Sequence, residues 1–160
     1  MADYDMIVAQ TEAMTENGNW YVTVLANLSA LIMESFAGLN WAGFYIMKDG
    51  ALVLGPFQGK PACTHIEIGK GVCGTAALTE ETQLVYDVHE FPGHIACDSA
   101  SNSEIVVPLF AAGKVWGVLD IDSPFTGRFN EEDREGLERM AAVIESYLEK
   151  ELKEGNSIYA

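Results

Sequence analysis

Two pairs of apolar segments, each joined by a tight turn, limit what this chain can fold into. Residues 41–47 alternate between two faces and are followed by Asp49-Gly50, the dipeptide favoured in type I′ turns, and by a second apolar segment at 51–54. Residues 104–111 and 115–122 form a similar pair. Strands joined by a few residues pair antiparallel, because a parallel pair needs a long crossover. The sequence therefore predicts an antiparallel sheet in the middle of the chain.

Both ends of the chain show helical periodicity instead. Residues 3–15 and 20–36 place apolar side chains at helical spacing, and Asp3 is a candidate N-cap of the first segment. Asn130 is the candidate N-cap of a long helix toward the C-terminus, with Asp133 in its first turn. Helices at both ends that flank one mostly antiparallel sheet make an α+β domain.

The segments between these elements are shorter. A chain of 160 residues is the length of one ordinary domain, so we expect residues 1–160 to form a single domain. On the C-terminal helix, Glu135–Arg139 and Glu149–Lys153 have the spacing of ion pairs. The remaining predictions are strands at 64–68 and 84–87, a helix at 72–79, and loops at 55–61 and 91–103.

Acidic side chains dominate the charge of the chain. It holds 24 Asp and Glu against 9 Lys and Arg, a formal net charge of −15. That balance argues against nucleic-acid binding, which needs a basic surface, and against attachment to anionic membranes. No run of 18 apolar residues predicts a transmembrane helix, and the N-terminus lacks the basic and apolar regions of a signal peptide. We therefore expect a cytoplasmic protein with no nucleic-acid or membrane partner.

Three cysteines are the first candidates for chemistry. Cys63, Cys73 and Cys97 lie in predicted loops or at a helix start, next to glycines and polar residues. An odd number of cysteines fits a reducing compartment, where thiols are free, catalytic or metal-bound. The start of a helix favours the thiolate of Cys73, and a protonated His94 would lower the pKa of Cys97. The alternative to a chemical role is that the cysteines are inert packing residues. The spacings of the Cys and His residues are not those of usual zinc sites, so we expect no metal.

One glycine-rich segment matches a nucleotide-binding pattern. Residues 69–74 read GKGVCG, which fits G-x-G-x-x-G between a predicted strand and a predicted helix. The chain lacks the alternating strand–helix units of a dinucleotide-binding fold, so we expect no nucleotide cofactor. A helix start that binds a carboxylate or another anion through backbone N–H groups is the simpler interpretation.

Carboxylates and aromatic side chains are the other candidates for a site. Asp120 and Asp122 share one face of a strand. Like charges that close raise each other's pKa unless a cation lies between them, and a ligand ammonium or a metal would meet that need. A polar strand end explains the same two residues, and Glu104 is compatible with an exposed strand start. Trp41 and Tyr45 share a strand face, as they would in a pocket wall or in a core.

Six ordered motifs resemble those of the free methionine-(R)-sulfoxide reductases. The resemblance extends from about residue 20 to the C-terminal helix, and the motifs are long and jointly specific. One departure is His65, where Arg is expected in many relatives. The motifs are NWAGFY at 40–45, LGPFQGKPAC at 54–63, GKGVCG at 69–74, DVHEFPGHIAC at 87–97, SEIVVP at 103–108 and GVLDIDSP at 117–124.

The resemblance implies a fold and an activity. The fold is GAF-like, with a central antiparallel sheet, N-terminal and C-terminal helices packed behind it, and a ligand pocket under long loops. The activity is reduction of free L-methionine (R)-sulfoxide by thiol chemistry without a cofactor, with thioredoxin as the reductant. The assembly is a homodimer packed through the terminal helices.

The resemblance also implies roles for individual residues. Cys97 matches the cysteine that attacks the sulfoxide, Cys63 the resolving cysteine, and Cys73 a third that can also enter a disulfide. The sequence does not decide whether Cys63 or Cys73 is the main resolving thiol, or which carboxylate donates a proton. The substrate pocket matches Trp41, Tyr45, Glu104, Asp120 and Asp122.

Three other functions fit parts of the sequence. A GAF module that senses a small ligand would have the same fold, but would not need three cysteines in loops. A redox sensor would form a disulfide with peroxide without turning over a sulfoxide. A metal-binding protein would purify with stoichiometric zinc.

Overall fold

The computed structural model describes residues 2–17, 20–95 and 99–159 of the 160. Within them, an α+β fold places one six-stranded sheet between helices, as the sequence predicts. The sheet order is β3-β2-β1-β6-β5-β4, and each neighbouring pair is antiparallel. The strands are β1 Trp41–Lys48, β2 Ala51–Gly59, β3 His65–Glu67, β4 Gln83–Val85, β5 Ser103–Ala111 and β6 Lys114–Ser123.

The helices begin close to the residues that the sequence predicts. Asp3 caps the first helix by accepting a hydrogen bond from the backbone N–H of Met6 at 3.1 Å. Asn130 and Asp133 form a reciprocal capping box at the start of the last helix, which satisfies two backbone donors there. The helices are α1 Tyr4–Thr15, α2 Tyr21–Ser35, α3 Gly71–Thr79 and α4 Glu131–Lys153, and a single 3₁₀ turn spans Val88–Glu90.

Strand β2 is longer than the sequence predicts, because residues 55–59 continue the strand instead of forming a loop. The register with β1 shifts between Gly43 and Tyr45, so Gly55 and Pro56 lie at a bulge. A bulge is one of the few places where a proline fits inside a sheet, since it removes the need for a ladder N–H. The Gly-Pro pair therefore marks an irregularity within the strand and not its end.

The expected ion pairs on α4 are not the ones that form among the described residues. Arg139 pairs with Asp5 of α1 at 2.8 Å rather than with Glu135. Glu149 accepts a hydrogen bond from the backbone N–H of Ala112 at 2.6 Å. Tertiary neighbours thus compete with the i,i+4 partner for both side chains.

The two faces of the sheet bury two separate apolar clusters. Helices α2 and α4 cover one face, where Ala42, Phe44 and Ile46 of β1 join the main core, and α1 packs against both helices. The short helix α3 covers the opposite face, where Trp41 and Tyr45 point. The period-2 alternation of the strand thus sends one set of side chains to the core and the other to the α3 face.

Candidate active site

Neighbouring strands bring the predicted site residues together on the α3 face of the sheet. Trp41 of β1 pairs with Asp122 of β6, and Glu104 of β5 pairs with the same Asp122 from the other side. Asp120 lies two residues earlier on β6, opposite Gly43, and so shares this face. The three central strands therefore carry an aromatic wall and a carboxylate group that meet at their ends.

Two of the three carboxylates are buried, and the third, Asp122, is partly buried. Glu104 is 7% exposed and Asp120 is 5% exposed. Burial, followed by the charges of Asp120 and Asp122, raises the pKa of Glu104 well above its usual range. Burial likewise raises the pKa values of Asp120 and Asp122. Burial and mutual repulsion therefore oppose full ionisation of the cluster, unless a cation enters it.

A short polar chain fixes the orientation of Asp122. The hydroxyl of Ser101 donates to Asp122 Oδ2 at 3.1 Å, and Asn40 Nδ2 donates to Ser101 Oγ at 3.1 Å. The other oxygen, Asp122 Oδ1, has no hydrogen-bond partner among the described residues. One oxygen is thus held by the protein while the other is available to a ligand. Sequence reasoning missed Ser101, because a loop serine without periodic neighbours gives no signal of its own.

Cys73 meets the carboxylates from α3. Its Sγ lies 4.0 Å from Glu104 Oε2, and the side chain is 4% exposed. Burial and the charges of Asp120 and Glu104 raise the pKa of this thiol well above its usual value. The expectation of a stabilised thiolate at the helix start was therefore wrong, because desolvation and three nearby acids outweigh the helix dipole.

The aromatic wall faces the same space. The Trp41 and Tyr45 rings stack with centroids 5.9 Å apart, and the Phe57 ring also stacks on Trp41, at 5.1 Å. Both Trp41 and Tyr45 are 2% exposed and both line the pocket. The sequence allowed Trp41 and Tyr45 to lie either in a core or in a pocket wall. The structure combines the two, since both rings are buried and both face the pocket.

These elements enclose a pocket whose space, counted together with its opening to solvent, is about 510 Å³. One end is acidic and another is aromatic. Further lining residues, not assigned from the sequence, are Ala62, Ile66, Lys70, Gly71, Val72, His94, Ile95 and Ser101.

The start of α3 offers backbone donors to this pocket. The first backbone bond of the helix runs from the N–H of Gly74 to the carbonyl of Lys70. The N–H groups of Gly71, Val72 and Cys73 precede it and so have no partner within the helix. All three residues line the pocket. An anionic group of a ligand could bind there.

The other two cysteines are placed differently. Cys63 follows β2 in the loop that leads to β3, is partly buried and is disulfide-bonded, whereas Cys73 is a free thiol. Cys97 lies outside the described residues. His94 lines the pocket, and burial, followed by the charge of His89, lowers its pKa. A protonated His94 beside a thiolate is therefore disfavoured.

Among the described residues, one group has atoms close enough to share a metal ion. The group consists of the Sγ atom of Cys73 and one carboxylate oxygen each from Glu104 and Asp120, and these three atoms lie within 4.8 Å of one another. Thiolate and carboxylate donors suit a divalent transition metal. The same acidic surroundings suit the ammonium group of an organic ligand.

None of the described helices is long and apolar enough to span a bilayer.

Comparison with known proteins identifies the family. Residues 22–148 match the GAF domain family. The free methionine-R-sulfoxide reductase of Escherichia coli (strain K12) is 55% identical over 128 residues, which cover 80% of this chain and 78% of that protein.

Two solved structures are similar to the whole fold. The reduced form of fRMsr from Staphylococcus aureus matches with a TM-score of 0.90 at 49% identity, over 92% of this chain and 96% of that one. The free methionine-R-sulfoxide reductase of Neisseria meningitidis, in complex with its substrate, matches with a TM-score of 0.90 at 42% identity, over 94% of this chain and 91% of that one. This chain belongs to the GAF domain family and, within it, to the free methionine-R-sulfoxide reductases.

Proposed function

We propose that this chain reduces free L-methionine (R)-sulfoxide to L-methionine in the cytoplasm. The observation that carries the proposal is the carboxylate group formed by Glu104 and Asp120, which are buried, and Asp122, which is partly buried. Among the described residues, no lysine or arginine forms an ion pair with it. A ligand ammonium would therefore find acidic partners that the protein itself leaves without a cation.

The two charged groups of a free amino acid fit the two polar ends of this pocket. Asp120 and Asp122 take the ammonium, and the N–H groups at the start of α3 take the α-carboxylate. The rings of Trp41 and Tyr45 take the methyl group beside the sulfoxide. The same sulfoxide within a polypeptide has amide groups in place of these charges, so the pocket would select the free amino acid.

The chemistry begins with the Cys97 thiolate attacking the electrophilic sulfur of the sulfoxide. The sulfoxide oxygen must gain a proton as its bond to sulfur breaks. Glu104 or Asp122 supplies that proton, since burial raises the pKa of each and so favours its protonated form. In net terms the oxygen passes to Cys97, which becomes a sulfenic acid, and methionine leaves.

The catalytic cycle then closes through a disulfide. Cys63 condenses with the sulfenic acid of Cys97 and water is released. The disulfide-bonded state of Cys63 and the free, buried state of Cys73 support Cys63 as the main resolving thiol. Thioredoxin reduces the disulfide by thiol exchange. We also propose that the whole chain is one GAF domain that forms a homodimer through its terminal helices.

In the first experiment, the protein is incubated separately with the R and the S epimer of free methionine sulfoxide, with dithiothreitol as reductant, and methionine release is measured. We expect turnover of the R epimer alone, and none with Cys97→Ser. Cys63→Ser should retain one turnover and lose thioredoxin-dependent recycling. If neither epimer reacts in protein with three free thiols, the chain is a ligand-sensing GAF module; disulfide formation with peroxide would then identify a redox sensor.

A further inference from the structure

Two aromatic side chains of the pocket wall hold the loop that carries Cys63. Trp41 Nε1 donates a hydrogen bond to the carbonyl of Lys60 at 3.1 Å. The hydroxyl of Tyr45 donates to the carbonyl of Cys63 itself at 2.8 Å. These side chains stack on each other and line the pocket. The substrate pocket and the main chain of the resolving cysteine therefore share a wall.

We propose that Tyr45 is a positioning residue for Cys63, whose hydroxyl holds the Cys63 main chain where its sulfur closes the disulfide. The inference rests on the proposed function and deepens it, because it concerns the resolving step of that reaction. In this step the Cys63 thiol attacks the sulfur of the Cys97 sulfenic acid. The S–S bond forms, the S–O bond breaks, and the hydroxyl leaves as water with the thiol proton.

The Tyr45 hydroxyl is suited to a fixed, donating role. It is 2% exposed, and burial, followed by the charge of Asp120, raises its pKa, so it stays protonated. The ring is fixed by stacking on Trp41. A buried tyrosine hydroxyl usually has a hydrogen-bond partner, and here that partner is the residue that must come within disulfide distance.

The hydrogen bond is present while Cys63 is disulfide-bonded. A contact made in the closed disulfide state favours that state over arrangements in which the loop has moved away. Removing it should therefore slow closure relative to sulfoxide reduction. The expected change is roughly three- to tenfold, the usual effect of one neutral hydrogen bond.

The test variant is Tyr45→Phe, which keeps the ring and removes the hydroxyl. Reduced protein is mixed with stoichiometric L-methionine (R)-sulfoxide without external reductant. Methionine formation and disulfide formation are timed separately, and sulfenic acid is trapped with dimedone. We expect the ratio of the closure rate to the methionine-formation rate to fall three- to tenfold, with more trapped sulfenic acid. An unchanged ratio overturns the proposal.

Tyr4→Phe is the matched control. It removes another buried tyrosine hydroxyl, which donates to Asp133 at 2.7 Å on the opposite side of the sheet. A general loss of stability would affect both variants, whereas a positioning role predicts a changed ratio in Tyr45→Phe alone. If the ratio of the closure rate to the methionine-formation rate changes equally in both variants, Tyr45 has only a structural role and the proposal is wrong.

A peroxide experiment separates this inference from the proposed function. Hydrogen peroxide converts the Cys97 thiol to a sulfenic acid without any sulfoxide, and Cys63 can then close the disulfide. If wild-type protein forms no methionine but Tyr45→Phe still slows closure after peroxide, the proposed function fails and the positioning role stands. If both proteins close equally fast after peroxide, the positioning role fails whatever the sulfoxide assay gives.

Discussion

Glu104 and Asp122 are direct cross-strand partners in the β5–β6 ladder, and both carboxyls lie on the pocket face of the sheet. Like charges in this arrangement repel each other, and burial removes the water that would screen them. The protein keeps this arrangement on a face where an apolar pair would pack without that repulsion. The arrangement therefore costs stability, a cost that the ammonium group of the proposed ligand would offset.

Glu104→Gln should stabilise the fold and reduce activity. Burial raises the pKa of Glu104, so the native state binds protons more tightly than the unfolded state between the ordinary pKa and the raised one. The stability of the wild type therefore falls as pH rises through that window. The glutamine lacks this penalty, so its gain in melting temperature over wild type should be larger at pH 8 than at pH 4. Each kcal/mol corresponds to roughly 2–4 °C at this size.

Thermal unfolding at the two pH values and methionine release at pH 7.5 measure the two effects. The exposed Glu67 of β3 gives the matched control Glu67→Gln, for which we expect neither effect. A melting temperature of Glu104→Gln below that of wild type at pH 8 would contradict the electrostatic account.

Cys73 should be slow to react with alkylating agents in the native protein. Its thiol is buried, and burial with the charges of Asp120 and Glu104 raises its pKa, so little thiolate is present. In reduced protein we expect iodoacetamide to label Cys73 at least roughly tenfold more slowly in the folded state than in urea. Asp120→Asn should speed labelling, because it removes one of the charges that raise the pKa.

Peptide mass spectrometry of timed samples gives the labelling rate of each cysteine. Labelling of native Cys73 as fast as in urea would mean that the thiol is neither buried nor shifted in solution. The urea sample also serves as the internal reference for the intrinsic reactivity of each cysteine peptide.

Gly43 is required by the close approach of β1 and β2 behind the aromatic wall. A Cβ at this position would clash with the Cβ of Phe57 and lie 2.7 Å from its Cα. Neither atom can move without the backbone of β2, so the strands themselves must shift. We expect Gly43→Ala to lower the free energy of unfolding by roughly 1–3 kcal/mol and to weaken substrate binding, because Phe57 stacks on Trp41.

A double-mutant cycle isolates the clash at Gly43. Phe57→Gly removes the Cβ that an alanine would meet, so the double variant should lose less stability than the sum of the two single variants. Urea unfolding of the four proteins measures this coupling. Additive losses would show that the cost of the alanine comes from atoms other than the Phe57 side chain.

The elements of the fold could be predicted because each depends on local pattern. Alternation of residues 41–47 and the Asp49-Gly50 turn, whose residues both have positive φ, specify the first hairpin without reference to the rest of the chain. The continuation of β2 through Gly55 and Pro56 could not be predicted, because it depends on a bulge in the β1–β2 register.

The sequence predicts which acids can share a face of the sheet, but not the electrostatics that result. Period-2 geometry places Asp120 and Asp122 on one face, but only the sheet order brings Glu104 next to Asp122. The raised pKa of Cys73 depends on those neighbours and on burial, which its own sequence context does not contain. Ser101 gains its role solely through the contact with Asp122.

Two glutamates of α4 cover the exposed edge of β5. Strand β4 pairs with β5 only as far as Val106, so the later residues of β5 have a free edge among the described residues. Glu145 accepts from the N–H of Phe110 at 2.7 Å, and Glu149 accepts from the N–H of Ala112 at 2.6 Å. Uncovered edges recruit other chains, so these carboxylates protect the sheet from association.

Glu145→Ala should therefore lower stability by roughly 1–3 kcal/mol, the cost of losing a hydrogen bond to a charged group, and should promote association beyond the wild-type assembly. Glu145→Gln keeps an acceptor and should lose less. Burial raises the pKa of Glu145. The contribution of this side chain to the free energy of unfolding therefore falls as pH rises through the raised pKa. Glu145→Gln should accordingly lose less stability, relative to wild type, at pH 8 than at pH 4.

Urea unfolding measures the stability of these variants and light scattering measures their association, with Glu135→Ala, at an exposed position, as the control. Equal behaviour of Glu145→Ala and Glu135→Ala would mean that the edge does not need the Glu145 carboxylate, since Glu145 bonds to the strand whereas Glu135 is exposed.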